Sequence, residues 1–555
     1  MTPNTTKWKI QPSTLIFWAI CLVAIAVRVW KFGAVPGGFN QDGAMAAVDA
    51  KALADYGTDR FGMPHPVYLT GWGISQMSAL LSYAMVPFIK IWGLNETTAR
   101  LPQLLFSIAG LAALYGLIKD TMGRHLALTV LFLASINPWH IMQSRWAIDC
   151  NVFPHLLIIG CYLLNLGRKR VIYLYLSMVS FALSMYSYGV AFFTVPFFLG
   201  FLGIYFLIKK QFKWYQVLIS VGVYTLIALP GWLVMLVNFL KIPSIQTPLF
   251  IIPLFPENAR SQNILFFASD FAEQLETNAS ALLNVGFFQM PDLPWNAINA
   301  WGTQYLFALP LVILGIATAL TESCCTRKAQ PTPKDATEPL FRERHAGYTI
   351  LLAGLAVGIW TGLIVESVNV NRLNIIFYFL IALAGIGLYR LSRWSKPVFA
   401  FGLLLYTISF AGFTAQYFGS WSHEIREAFF DGFGQALRQV KNIDTPVYYI
   451  TVNTQYQGAK PVSEILTMFH HRIDAHYFQG IGLNKDVPPP LAQIPYAQRY
   501  RYVDPAQMNI DPNAKAVYVV NAAEDHLFDT SKFQITRYKN YSVATPIGMN
   551  QSFIK

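Results

Sequence analysis

The chain has 555 residues, of which 54% are hydrophobic and only 13% are charged, whereas about a quarter of a typical soluble domain is charged. This composition excludes an ordinary soluble enzyme and predicts a polytopic membrane protein. The formal charge of +12 does not indicate nucleic-acid binding, because basic residues of membrane proteins gather in cytoplasmic loops. We therefore expect no nucleic-acid partner.

Apolar runs of about 17–22 residues recur along the chain, each long enough to cross a bilayer core of roughly 30 Å. Lys7 and Lys9 place the N-terminus in the cytoplasm, so the first span exits to the outside. We predict about eleven transmembrane helices in total. They are Thr14–Lys31, Leu101–Lys119, Leu126–Met142, Val152–Leu166, Ile172–Tyr188, Phe192–Ile208, Gln216–Val237, Tyr305–Leu320, Tyr348–Val365, Ile375–Tyr389 and Val398–Phe418.

A long mixed segment, about residues 35–98, follows the first span. Within it Gln41–Tyr56 has the spacing of an amphipathic helix at the membrane interface. Ile74–Trp92 is long enough to span but carries several polar residues. If it crossed, the loops rich in lysine and arginine would all lie outside, against the usual asymmetry. We therefore predict that it is a juxtamembrane helix on the outer face.

An odd number of spans places the C-terminal tail outside the cell. The tail shows a helical stretch and three strand-like runs separated by turn residues, which is enough for one small α/β domain. These elements are His423–Val440, Pro446–Val452, Lys515–Asn521 and Phe533–Tyr538. The tail histidines His470, His471 and His476 are interpreted as solvated.

The predicted architecture therefore has two parts. Residues 1–418 form a transmembrane domain that includes the outer juxtamembrane helices and a long, proline-containing outer loop, 238–302. We expect this loop to cover a cleft and help to seat lipid or acceptor. Residues 419–555 form an extracytoplasmic α/β domain.

Three predicted outer loops carry ionisable residues at the ends of apolar spans, where such residues are costly and tend to be functional. The candidates are Asp42 and Asp59 in the first loop, Arg145 and Asp149 in the second, and Glu366, Asn371 and Arg372 in the third. Simpler roles exist for each taken alone. Asp42 could cap the helix that follows it, and the arginines could anchor lipid headgroups or pair with neighbouring acids.

In their order and placement, these stretches resemble the GT-C superfamily of membrane glycosyltransferases. The closest resemblance is to the glycosyltransferase family 39 type, related to protein O-mannosyltransferases and to the aminoarabinose transferase that modifies lipid A. The similarity extends from the first span to about residue 390 and leaves the tail uncovered. The matching stretches are Asn40–Ala44, Gly57–Gly62, Pro66–Leu69, Arg100–Gln103, Ser144–Asn151 and Asn369–Asn374.

The resemblance implies an enzyme of the cell membrane with its active site on the extracytoplasmic face. It would transfer a sugar from a polyprenyl-phosphate donor to an acceptor protein or glycan. The resemblance implies the following roles: Asp42 as catalytic base, Asp149 as second site acid, Arg372 and then Arg145 as binders of the donor phosphate, and Asp59, Glu366 and Asn371 as support. No cofactor is certain, and any divalent metal ion would have Asp42 and Asp149 as its ligands.

One departure from the family leaves alternatives open. The family often carries an Asp-Glu pair at the first site, whereas Gly43 follows Asp42 here. An inactive homologue that acts as an assembly protein is therefore one alternative. A lipid or sugar transporter or flippase is another, for which polar residues near the middle of the spans would be expected.

Overall fold

The computed structural model describes residues 11–71, 75–256, 271–324, 341–455 and 461–549. Apolar helices dominate this part of the chain up to residue 418. In chain order they are α1 (Pro12–Val29), α2 (Gln41–Tyr56), α3 (Leu80–Trp92), α4 (Glu96–Met122), α5 (Arg124–Ser135), α6 (Pro138–Gln143), α7 (Val152–Gly167), α8 (Val171–Ser184), α9 (Ala191–Ile208), α10 (Trp214–Leu240), α11 (Phe271–Ala281), α12 (Leu309–Cys324), α13 (Phe341–Ile364), α14 (Ile376–Trp394) and α15 (Lys396–Phe418).

The helices confirm the expected multi-pass membrane protein. Among the described residues, nine helices are long and apolar enough to cross a membrane. The two other predicted spans coincide with α5 and α8, which are apolar helices of 12 and 14 residues. Helix α3, at 13 residues, is similarly short, and its place as a juxtamembrane helix on the outer face stays a prediction.

The predicted span Leu126–Met142 is not one continuous helix. Helix α5 ends at Ser135, and α6 begins at Pro138 with the Asn137 side chain accepting the backbone N–H of His140 at 3.0 Å. The residue before a proline avoids helical backbone angles, so the Asn-Pro pair ends one helix and caps the next. Residues 257–270 of the predicted outer loop and 325–340 lie outside the described residues.

Two short hairpins lie between the helices of the first 418 residues. Strands β1 (Tyr68–Thr70) and β2 (Gln76–Ser78) pair with each other, as do β3 (Ile245–Gln246) and β4 (Ile251–Ile252).

A five-stranded sheet with flanking helices forms the C-terminal part of the chain. Its elements are α16 (Ser420–Ala428), α17 (Asp431–Val440), β5 (Val447–Thr451), α18 (Ser463–His471), α19 (Ala475–Phe478), α20 (Tyr496–Arg499), β6 (Tyr500–Val503), β7 (Ala516–Asn521), β8 (Phe533–Tyr538) and β9 (Tyr541–Pro546). The strand order is β6-β5-β7-β9-β8. Strand β5 runs parallel to β6 and β7, and the remaining pairs are antiparallel. The domain boundary at residue 418 stays a prediction.

The tail differs from the sequence prediction in three respects. The predicted helix His423–Val440 is two helices, because Phe430 between them has a left-handed φ of 53°. Strands β6 and β9 were not predicted, and residue preference accounts for this only in β9, which contains Ala and Pro. His470 and His471 are 7% and 4% exposed rather than solvated, and burial lowers the pKa of each to about 3.

Helix α2 has the predicted bounds but different surroundings. It is buried along most of its length instead of lying on a membrane surface. Together with α3 it shares one hydrophobic core with α17, α18 and the sheet. The stretch around Asp42 is therefore enclosed between the helical bundle and the C-terminal part of the chain.

Candidate active site

A cavity of about 350 Å³ brings together three of the predicted site residues. Asp42, Asp149 and Arg372 all line it, although they lie on three separate segments of the chain. Its volume falls within the roughly 300–1,000 Å³ of small-molecule sites. The rest of the wall is mainly apolar, with the aromatic residues Tyr68, Tyr188, Phe192 and Phe193 and aliphatic residues such as Met45, Met77 and Val190, while Ser75 and Gln76 add polar groups.

Asp42 lies in the first turn of α2 and is not its cap. Asn40 is the N-cap residue, and its Oδ1 accepts a hydrogen bond from the Gly43 backbone N–H at 3.2 Å. The positive end of the helix dipole favours a carboxylate at the Asp42 position. The capping role considered for Asp42 thus belongs to Asn40.

Gly43 explains why a second acid does not follow Asp42. A Cβ at this position would lie 2.8 Å from the Ala147 carbonyl oxygen and 3.0 Å from Asn40 Oδ1. Only glycine lets α2 approach the loop before α7 so closely. That loop contributes Asp149, so the cavity has two carboxylates after all, from two segments rather than from one pair.

Two side chains of α4, three residues apart, hold the segments that carry these acids. Arg100 donates to the Gly33 and Gly38 carbonyls at 2.8 and 2.7 Å, which fixes the chain before Asp42. The Nε2 of Gln103 donates to the Gln143 and Asn151 carbonyls, both at 3.1 Å, on either side of Asp149. The sequence analysis did not select either residue as part of the site, although a polar residue within an apolar span indicates function.

Arg372 has a donor available for a ligand. Its Nη1 is buried and has no hydrogen-bond partner among the described residues. A buried donor without an acceptor is costly and rare in native structures. A residue of another segment, Asp292, holds the loop that carries Arg372, because its Oδ2 accepts a hydrogen bond from the Val370 N–H at 2.7 Å. A guanidinium on a held loop, with an unpaired buried donor, is suited to bind an anion.

The second predicted phosphate ligand, Arg145, lies elsewhere. It is not among the residues that line the cavity, and its guanidinium is 0% exposed. Its nitrogens donate to carbonyls at the end of α1 and just beyond it, those of Val27, Arg28, Trp30, Lys31 and Val35. Because all five N–H donors of arginine are used in this way, the geometry gives Arg145 a structural role.

The three residues suggested as support do not line the cavity. Asp59 is buried in a turn, where its Oδ1 accepts from the Phe61 and Met63 N–H groups at 3.0 and 2.8 Å. Burial raises the pKa of Asp59 despite these bonds. Glu366 and Asn371 are half-buried on the same loop as Arg372.

The cavity offers few ligands to a metal ion. Within the described ranges, no group of three or more His, Cys, Asp or Glu side chains is arranged to hold one. Two carboxylates nevertheless suit a hard cation such as Mg²⁺, which proteins often hold with one or two carboxylates and substrate phosphate oxygens. Asp42 and Asp149 would be those ligands.

A second cavity, of about 380 Å³, lies close to the first and is mainly apolar. The ring of Tyr186, which lines it, lies 6.4 Å from that of Tyr68 in the wall of the first cavity. Its other lining residues include Val67, Leu80 and Pro230, the last of these in the apolar helix α10.

Comparison of the whole structure with solved ones gives a match over nearly the full chain. ArnT from Cupriavidus metallidurans, bound to undecaprenyl phosphate, superposes with a TM-score of 0.57, 13% identity, and coverage of 97% of this chain and 100% of that one. The chain has the GT-C fold. This confirms the fold expected from the sequence.

Other GT-C structures match less well. The oligosaccharyltransferase AglB from Archaeoglobus fulgidus, in complex with an inhibitory peptide and a dolichol-phosphate, gives a TM-score of 0.44 with 12% identity over 83% of this chain and 64% of that one. No protein-family model and no curated protein matches the sequence.

Proposed function

We propose that this chain is a membrane glycosyltransferase that moves a sugar from a polyprenyl-phosphate donor to an acceptor hydroxyl or amine. The observation that carries the proposal is the single cavity lined by Asp42, Asp149 and Arg372. The chain also shares its fold with a protein solved in complex with undecaprenyl phosphate, a lipid of the proposed donor class.

Asp42 serves as the general base in this proposal. The bond between the anomeric carbon and the phosphate oxygen breaks, and a bond from that carbon to the acceptor oxygen or nitrogen forms. The acceptor proton passes to the Asp42 carboxylate, which needs to lie within hydrogen-bond reach of the acceptor. The polyprenyl phosphate leaves with the electron pair of the broken bond.

Arg372 binds and stabilises the departing phosphate. A guanidinium forms charge-assisted, often bidentate hydrogen bonds with phosphate, and these strengthen as negative charge develops on the leaving oxygen. Asp149 faces the positive charge that develops at the anomeric carbon in glycosyl transfer. A divalent cation held by Asp42 and Asp149 would supply further stabilisation of phosphate charge.

We place the cavity on the extracytoplasmic face. Helix α7 begins next to Asp149, and beyond its other end Arg168 forms an ion pair with Glu343 at 2.7 Å. Arg342 there donates to the Lys210 carbonyl at 3.4 Å. Basic residues thus gather at the end of the bundle away from the cavity, as cytoplasmic ends do. The second, apolar cavity is suited to isoprene units of the carrier.

Transfer from radiolabelled polyprenyl-phosphate sugars, measured in membranes that contain the protein, tests the proposal. We expect Asp42→Asn to lower the rate by at least about a hundredfold, which is the lower end of what a general base contributes. Asp55→Asn makes the same change at the exposed end of α2 and is expected to retain the rate.

Each other outcome points to one of the alternatives. Equal rates for the wild type and Asp42→Asn would refute the base assignment. Absence of transfer from every donor, with movement of labelled lipid across the membrane, would favour a flippase. Absence of both would favour the inactive assembly protein.

A further inference from the structure

One buried side chain connects the loop that carries Asp149 with the loop that carries Arg372. Asn374, two residues after Arg372, is 1% exposed. Its Nδ2 donates to the Cys150 carbonyl at 3.3 Å and to Asn151 Oδ1 at 3.1 Å. These two hydrogen bonds of one amide form a bridge between two segments that each contribute a charged group to the cavity.

The orientation of this amide is fixed by Trp139. The Trp139 Nε1 donates to Asn374 Oδ1 at 3.0 Å. Because an indole N–H can only donate, the amide oxygen must face Trp139 and the amide nitrogen must face the other loop. Trp139 is itself 0% exposed, and its backbone N–H donates to the Thr303 carbonyl at 3.0 Å.

The receiving end of the bridge is also held firmly. Asn151 is 0% exposed, and its own Nδ2 donates to the Trp146 carbonyl at 3.1 Å. Its backbone carbonyl accepts from Gln103 Nε2 at 3.1 Å. Asn151 cannot rotate its amide to compensate for a change at Asn374 without losing the bond to Trp146.

We propose that Asn374 is a positioning residue that sets the separation between the Asp149 carboxylate and the Arg372 guanidinium. Its consequence for catalysis rests on the proposed function. A donor whose phosphate is held by Arg372 presents its anomeric carbon to the carboxylates only at the right separation. A misplacement of about 1 Å can cost roughly a hundredfold in rate, while the phosphate contact itself persists.

Asn374→Asp tests the bridge with almost no change in shape. The oxygen that accepts from Trp139 stays, and the donor Nδ2 becomes an oxygen that faces two other oxygens. We expect kcat to fall about 10- to 100-fold while the KM for the donor stays within about threefold. Hydrogen–deuterium exchange is expected to become faster in both 143–151 and 365–375.

Asn95→Asp is the control. Asn95 lines neither cavity, and its Nδ2 donates to the Trp92 and Gly93 carbonyls at 3.3 and 3.4 Å while its Oδ1 accepts from the Thr98 N–H at 2.9 Å. The same substitution there removes the same number of donated bonds and keeps the accepting oxygen. We expect a kcat within about twofold of the wild type and unchanged exchange in the two loops. Asn374→Ser removes the bridge without facing oxygens, should Asn374→Asp fail to fold.

The inference would be overturned if both Asn374 variants kept the kcat of the control, or if exchange became faster in only one of the two loops. An equal rise of KM and fall of kcat would also contradict it, since a loss of phosphate binding would then explain the defect. If the wild type transfers no sugar at all, the proposed function fails, and the exchange measurement still decides whether Asn374 couples the loops.

Discussion

Asp42 lines the cavity from a helix that packs against the C-terminal sheet domain. Asp149 and Arg372 line it from two loops of the helical bundle, and polar side chains hold these loops in place. On the first side, the Phe39 ring stacks on Phe469 with centroids 4.5 Å apart. On the second side, the contacts are the hydrogen bonds that Gln103 and Asn374 make. Arg100 also holds the chain before Asp42 by hydrogen bonds, so the sides differ in that only the first adds apolar packing against the sheet domain.

This difference predicts different responses to mutation. Apolar packing has no preferred direction and scales with buried area, so the side that carries Asp42 is expected to respond gradually as contacts are trimmed. Hydrogen bonds weaken steeply when their angles change, so the side that carries Asp149 and Arg372 is expected to depend on the exact polar atoms. The C-terminal part of the chain thus has a structural role, because it packs against α2.

The largest expected effect comes from removing the acid on the bundle side. Asp149→Asn is expected to lower kcat by about a hundredfold, because the charge facing the anomeric carbon is lost. Residues that act on one reaction are strongly non-additive, so Asp149→Asn combined with Asp42→Asn should lose far less than the product of the two. Steady-state kinetics of the three variants checks this, with Asp120→Asn as a control. Fully multiplicative losses would show that the two sides do not act together.

The two arginines of neighbouring loops give a smaller and sharper contrast. Arg372→Lys is expected to raise the donor KM about tenfold with unchanged melting temperature, because lysine cannot bind phosphate bidentately. Arg145→Lys is expected to lower the melting temperature without changing the KM, because it leaves carbonyls at the end of α1 unsatisfied. Donor titration and thermal unfolding of both variants would reveal a reversed pattern if the assignment of roles were wrong.

A milder change tests the packing that supports Asp42. Phe469→Leu is expected to lower kcat about three- to tenfold, because it loosens the contact with Phe39. Phe528→Leu affects a residue buried to a similar degree in the separate hydrophobic cluster of the same sheet. It should cost similar stability and leave kcat unchanged. Equal kcat for both variants would show that packing against the sheet domain does not position Asp42.

The smallest effect is on stability at mildly acidic pH. Burial lowers the pKa of His470 and His471 to about 3, below the roughly 6.5 of an unfolded histidine. The unfolded state therefore binds more protons than the folded state at acidic pH. The protein should keep its full stability above about pH 6.5 and lose stability as the pH falls towards 3. At pH 5.5, each of these histidines should therefore lower the free energy of unfolding by about 1.4 kcal/mol relative to neutral pH.

Thermal unfolding between pH 7.5 and 5.5 measures this loss. Substitution of both histidines by Gln should flatten the pH dependence, whereas His423→Gln, at an exposed position, should not. An unchanged slope in the double variant would assign the acid sensitivity to other groups.

The sequence predicted the parts of the site that follow from local patterns. Helix α2 was predicted with its observed bounds, and Asp42, Asp149 and Arg372 were selected because ionisable groups at the ends of apolar spans are costly. The positions of Arg145 and Asp59 were not foreseeable in this way. Their partners are backbone groups, whose location no residue type reveals.

The supporting residues were missed because their contacts are distant in sequence. Asn374 contacts Asn151 from 223 residues away, and Arg100 contacts Gly38 from 62 residues away. The burial of His471 likewise depends on the tertiary contact with Leu437, whose carbonyl lies 3.0 Å from its Nε2. Hydrophobic periodicity describes one element at a time, so contacts between elements remained outside its reach.

The way Arg145 completes α1 has a consequence for how the protein is made. The carbonyls of Val27 and Arg28 receive their donors from a residue 118 and 117 positions later in the chain. At the usual rate of synthesis, on the order of ten seconds pass before that residue leaves the ribosome. Until then these two carbonyls have to find other hydrogen-bond partners, such as water. The completion of this end of α1 therefore belongs to a late stage of folding, although α1 itself is made well before Arg145.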